Sequence, residues 1–80
     1  MVIDILAFGI VKEILNSGSV AIRVDGVMTV TELKADLETQ YPRLQQLASF
    51  MIAVNGVYAN DETVINAGDE VAIIPPVSGG

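Results

Sequence analysis

Few groups in this chain are equipped for covalent chemistry. Its 80 residues include no histidine and no cysteine. That excludes disulfides, a Cys/His zinc site, iron–sulfur ligation, and Ser-His-Asp or Cys-His nucleophilic catalysis. Ten carboxylate side chains stand against four scattered cations, Lys12, Arg23, Lys34 and Arg43, and dispersed carboxylates usually serve only to keep a surface hydrated. Backbone and terminal groups are what remain. The last eight residues are Ile73-Ile74-Pro75-Pro76-Val77-Ser78-Gly79-Gly80, so the α-carboxylate of Gly80 is the group singled out. With an ordinary pKa of roughly 3.3–3.7 it is ionised at neutral pH and is a poor electrophile until activated.

The residues leading to Gly80 suit a group that must travel into another protein. Glycine has no side chain, so Gly79 and Gly80 let backbone approach a nucleotide or pass a narrow channel. The four residues after Pro76, fully extended, span about 13–14 Å at ~3.3–3.6 Å each. Pro75-Pro76 stops the preceding strand, because proline offers no N–H to a ladder and fixes φ. The same pair stiffens the root of the tail and lowers the entropy lost when it docks. Two plainer accounts of Ser78-Gly79-Gly80 are a frayed terminus of small residues and a linker scar left by cloning.

The net charge of −6 argues against nucleic acid, which needs several cations to displace counterions. It favours a partner with a basic patch, or simple solubility. Hydrophobic residues make up 51% of the chain, enough for one core in one domain. No apolar run reaches the roughly 18 residues needed to cross a bilayer. The start, with Asp4 inside its apolar run and no basic region before it, does not read as a signal peptide. A cytoplasmic protein is the expectation.

The elements that would hold the tail follow from periodicity. Residues 2–8 alternate as a strand, with Ile3, Ile5 and Ala7 on one face and Val2, Asp4, Leu6 and Phe8 on the other. Residues 9–19 read as a loop or short helical turn closing at Ser17-Gly18. Residues 20–24 alternate again, and Asp25-Gly26 marks a turn. Thr29 and Glu32 have capping-box spacing, and Val30, Leu33 and Leu37 form one helical stripe that Pro42 ends. A second short helix is expected at 43–50, with Leu44 and Leu47 inward. Residues 51–59 are a hairpin around Asn55-Gly56, a pair suited to positive φ. Residues 60–70 form a long polar connection ending at Gly68-Asp69, and 71–75 are the last strand. This order predicts an α+β fold of the β-grasp (ubiquitin-like) kind: a mixed sheet of about five strands packed on one main helix plus a short helix. Residues 1–76 form that domain and 77–80 a flexible Gly-Gly tail.

Several of these stretches together resemble the sulfur-carrier branch of the ubiquitin-like proteins, and within it the small subunits of molybdopterin synthase. The residues that carry the likeness are ILAFGIVKE (5–13), TVTELKADL (29–37), IAVNGVYA (52–59) and AGDEVAIIPPVSGG (67–80). Lys12 stands where arginine is usual, and Ala7 and Ile74 where phenylalanine is frequent. The resemblance implies that an adenylyltransferase of the ubiquitin-activating type spends ATP to adenylate Gly80, and that sulfur transfer then makes a thiocarboxylate. It implies that Pro75, Pro76, Val77, Ser78 and Gly79 thread into the large synthase subunit. There the sulfur passes to the pterin precursor of the molybdenum cofactor. It also implies a contact surface at Phe8, Tyr58 and Ile74. The charged residues Lys12, Glu13, Asp69 and Glu70 are candidates for secondary contacts at its rim or for a purely solvated role. No resident cofactor, metal, nucleic acid or membrane is expected. Competing readings keep the tail but change its destination, to thiamine sulfur or to isopeptide bonds with other proteins. A reading of a different class is a β-grasp binding module with an incidental tail.

Overall fold

In a computed structural model that describes residues 1–47 and 49–75, the alternation of the first strand becomes the two sides of a sheet. β1 (Val2–Ala7) turns Ile3, Ile5 and Ala7 into the core and leaves Val2 and Asp4 in solvent. α1 (Gly9–Leu15) follows, then β2 (Ser19–Arg23), β3 (Met28–Thr29) and α2 (Val30–Gln40). A 3-10 turn at Pro42–Gln46 leads to β4 (Met51–Val54), β5 (Val57–Tyr58), β6 (Val64–Ile65) and β7 (Val71–Ile74). Five strands form the main sheet in the order β2-β1-β7-β4-β5, with β1 and β7 parallel and every other neighbour antiparallel. The sheet is therefore mixed, five-stranded and covered on one face by helices, as the sequence predicts. Pro76 and the tail at 77–80 lie outside the described residues.

The core sits between that inner face and the helices. Ile5, Ile52, Val71 and Ile73 are fully buried beneath Val30, Leu33 and Leu37 of α2. Each such side chain stabilises the fold by about 1.5–3 kcal/mol relative to exposure. Thr29 starts α2 with the anticipated capping box: Glu32 N–H donates to Thr29 Oγ1 (3.3 Å) and Thr29 N–H to Glu32 Oε1 (3.0 Å). Leu44 is buried and Leu47 half-buried, but their segment is a 3-10 turn, set directly after Tyr41 by Pro42.

Two stretches carry more structure than their sequence suggests. Residues 9–15 are a helix of seven residues, because Val11 and Leu15, four apart, both reach the core. Asn16 ends it at φ 57, a left-handed conformation that asparagine tolerates. The polar connection at 60–70 contains β6, which pairs antiparallel with β3, Met28 facing Ile65 and Thr29 facing Val64. It also supplies acceptors for helix donors that lack intrahelical partners: Val30 N–H donates to Thr63 O (3.0 Å) and Thr31 N–H to Asp61 O (3.1 Å). Two-residue strands are too short to show a period, so this second, small sheet leaves no alternation to read.

Ile65 is completely buried whereas its neighbour Val64 is exposed. Replacing Ile65 with alanine should cost about 2–5 kcal/mol in urea unfolding, against about 0.5 kcal/mol or less for Val64→Ala. Equal losses at the two positions would contradict this account of the small sheet.

Candidate functional site

Parallel pairing decides where the tail begins. Ile5, Leu6 and Ala7 of β1 stand beside Val71, Ala72 and Ile73 of β7. Because both strands run the same way, they finish at the same end of the sheet. Phe8-Gly9, which follow β1, meet there the last residue of β7, Ile74, and Pro75 after it. A Cβ placed on Gly9 would lie 3.3 Å from Pro75 Cγ, and Gly9 holds φ at +55. Any side chain at position 9 would thus strain the backbone and crowd the tail root together. Phe8 is extended (φ −132, ψ 156) and precedes α1, its carbonyl accepting from Val11 N–H at 3.1 Å.

The sheet face away from the helices is apolar at its centre. Registers set Leu6 beside Ala72, Ala72 opposite Ala53, and Ala53 opposite Tyr58, one row across four strands. Ile74 faces Met51 in the next row toward the tail. Phe8 (49% exposed), Met51 (47%) and Tyr58 (62%) leave large apolar surface in solvent. With alanines at the floor, a depression of about 260 Å³ opens between Tyr58, Ile74, Ala53, Ala72, Gly56 and Glu70. At the end remote from the tail root, Asp4, Asp69 and Glu70 line a second depression with Leu6 and Gly68. An exposed apolar area bordered by charge is the form of a protein-binding surface.

The hairpin and the start of β7 are stitched together at that acidic end. Asn55 (φ 53) and Gly56 (φ 81) make the tight turn. Asn55 Nδ2 donates to Asp69 Oδ1 (3.0 Å), while Glu70 N–H donates to Asn55 Oδ1 (2.9 Å). Asn66 N–H donates to Asp69 Oδ2 at 2.8 Å. The Asn66 amide, and after it the Asn55 side chain, hold the Asp69 carboxyl below its ordinary value.

Of the residues singled out by sequence, Ile74 and Tyr58 share the outer face, and Phe8 and Pro75 stand at its tail end. Lys12 is exposed on α1, off the sheet, its N–H donating to Phe8 O at 3.4 Å. Pro76, Val77, Ser78, Gly79 and Gly80 lie outside the described residues. Met51 and Ala53 belong to the same face, though sequence reasoning did not name them; their alternation with Ile52 and Val54 carries the signal. Gly9 is a further addition, and no pattern announces it, since its constraint comes from a residue 66 positions away. Among the described residues no cluster of metal-binding side chains occurs, and no helix is long and apolar enough to cross a membrane.

Comparison with known proteins gives concordant results. The ThiS family profile matches residues 5–80. The molybdopterin synthase sulfur carrier subunit of Dictyostelium discoideum is 40% identical, the match covering 95% of this chain and 93% of that one. Among solved structures, subunit 1 and 2 of the molybdopterin-converting factor of Helicobacter pylori form a protein–protein complex, one chain of which matches with TM-score 0.69 at 27% identity over the full length of both. The small archaeal modifier protein 1 of Haloferax volcanii matches with TM-score 0.81 at 26% identity, over 95% of this chain and 98% of its own.

A carboxyl held below its ordinary value stabilises the fold above the unfolded-state pKa, near 3.9. That contribution is lost as pH falls through the lower folded value. Asp69→Asn should therefore lower Tm at pH 7, and the melting curves of the two proteins should converge as pH falls through the lowered folded-state value. A Tm difference independent of pH would contradict the role given to the Asp69 charge.

Proposed function

The chain belongs to the ThiS family, and we propose on that premise that it is the sulfur carrier subunit of a molybdopterin synthase. The observation that carries the reading is the placement of the tail root. Parallel β1 and β7 deliver Pro75 to the edge of an exposed apolar face, so a partner covering that face receives the tail directly. Phe8, Ile74, Met51 and Tyr58 meet the large subunit, and Lys12, exposed on α1, is a secondary contact from off the sheet. Val77, Ser78 and Gly79 run inward as the thread, with Pro75 and Pro76 as its stiff root.

Gly80 carries the chemistry. In an adenylyltransferase, an oxygen of its carboxylate attacks the α-phosphorus of ATP and expels pyrophosphate. Hydrosulfide then attacks the acyl carbon, a C–S bond forms, the C–O bond to AMP breaks, and the S–H proton is lost to solvent. The resulting thiocarboxylate has an anionic sulfur, a far better nucleophile than the carboxylate oxygen it replaces. Inside the large subunit this sulfur passes to the pterin precursor and Gly80 returns to a carboxylate for reloading. Two sulfurs make one dithiolene, so each product needs two deliveries. This chain is thus a donor rather than an enzyme by itself. Activation by ATP fits a cytoplasmic location.

The likeness to small archaeal modifier protein 1 favours a second reading, in which the same activated carbonyl is taken by a lysine amine to form an isopeptide bond. The two share activation and diverge at the nucleophile. Incubating the protein with ATP, an activating enzyme and a sulfur donor should give oxygen-for-sulfur exchange at Gly80 by intact mass. Deleting Gly80 should abolish that exchange while circular dichroism and Tm stay unchanged, and sulfur loading of the truncated chain would overturn the proposal. Restored molybdenum-cofactor synthesis in a strain lacking its own small subunit separates the first reading from the second.

A further inference from the structure

One side of the sheet ends in a strand whose outer edge is only partly closed. β2 pairs with β1, and among the described residues no strand lies on its other side. The bonds from Val24 N–H to Met1 O (2.8 Å) and from Ala7 N–H to Gly18 O (2.9 Å) fix the phase of that ladder. In antiparallel pairing such residues alternate with ones whose backbone groups point away. Ser19, Ala21 and Arg23 are therefore the residues whose N–H and C=O face the open edge. Ser17 closes that edge at Ser19, its hydroxyl donating to Ser19 O (2.6 Å) and accepting from Ser19 N–H (3.3 Å). Ala21 and Arg23 keep their edge groups for another strand.

Beside this edge lies a groove of about 490 Å³ between the end of β2 and one stripe of α2. Its α2 wall is Glu32, Ala35, Asp36 and Thr39, spaced as one helical face, and Asp25 stands at its mouth. Glu32 uses Oε1 to cap α2 and Asp36 accepts from Gln40 Nε2 at 3.3 Å. Among the described residues the one ion pair, Lys34–Asp61, lies elsewhere. Three carboxylates, Asp25, Glu32 and Asp36, thus line the groove against one cation, Arg23 on its β2 side, and the lining stays net negative. Val27, 70% exposed, adds an apolar surface to the lining.

The geometry points to a second binding surface, on which an extended basic peptide segment adds as a strand to β2. Its main chain pairs with Ala21 and Arg23. Side chains alternate along a strand, so every second residue faces the α2 stripe. Lysine or arginine fits there, with the stem on Ala35 and the charge toward Glu32 and Asp36. Since β2 is antiparallel to β1, Arg23 lies beside Val2, at the end of the sheet opposite Phe8 and Pro75. The surface is therefore separate from the outer face and the tail root, and occupancy of one leaves the other open.

The probe is a heptapeptide of alternating lysine and valine, titrated into the full-length 15N-labelled protein. Binding should be saturable below about 1 mM, with the largest amide shifts and new hydrogen-exchange protection at Ala21 and Arg23. The double variant Asp25→Lys/Asp36→Lys should weaken it about tenfold or more, and glutamate in place of lysine in the peptide should abolish it. N-methylation of alternate peptide residues, which leaves the protein untouched, should also abolish it by removing strand donors. Shifts centred on Met51 and Tyr58, indifference to N-methylation, or no binding would each overturn the proposal. So would concentration-dependent dimerisation through β2 in sedimentation, which would give the edge to a second copy of the chain.

Discussion

The hydrogen-bonded pairing of β1 with β7 is the constraint on which the rest of this protein depends. It joins the first strand to the last in the middle of the sheet, and the connection between them must supply everything else: both helices, the β4–β5 hairpin and the small β3–β6 sheet. Parallel strands need such a crossover, because a tight turn cannot return the chain in the same direction. Parallelism also makes both strands end together. That single geometric fact puts Phe8, Gly9, Ile74 and Pro75 in one neighbourhood and gives the tail a fixed point of departure.

The two sides of the sheet are used differently. The inner side spends its large aliphatic residues on a dry core in which no polar or charged side chain is buried among the described residues. On the outer side, the central positions at 53 and 72 are alanine, and larger apolar groups stand around them. Small floors and tall walls make a depression rather than a flat sheet, and that shape favours a partner's side chain over further strands. Acidic residues at one end and Pro75 at the other give the face a direction.

Much of this was legible in the sequence because the informative elements are long or carry strict turn chemistry. β1 alternates over six residues, α2 shows its cap and stripe together, and Asn55-Gly56 has few conformations open to it. Met51 and Ala53 were within reach of the same alternation. The β3–β6 pair was not, because two residues have no period and Val64-Ile65 is a lone large apolar pair within a polar connection. α1 stayed ambiguous for a related reason: its inward face consists of just Val11 and Leu15. Gly9 was hidden altogether, since its need for a bare α-carbon arises from Pro75 and not from any local pattern.

The interior position of β7 has a mechanical side. Its neighbours are β1 and β4, and Pro75 follows directly on its last residue, Ile74. A pull on the tail consequently loads the hydrogen bonds on both flanks of β7 across their length, in shear, rather than opening them one at a time from an end. β7 is thus held most firmly along its own length.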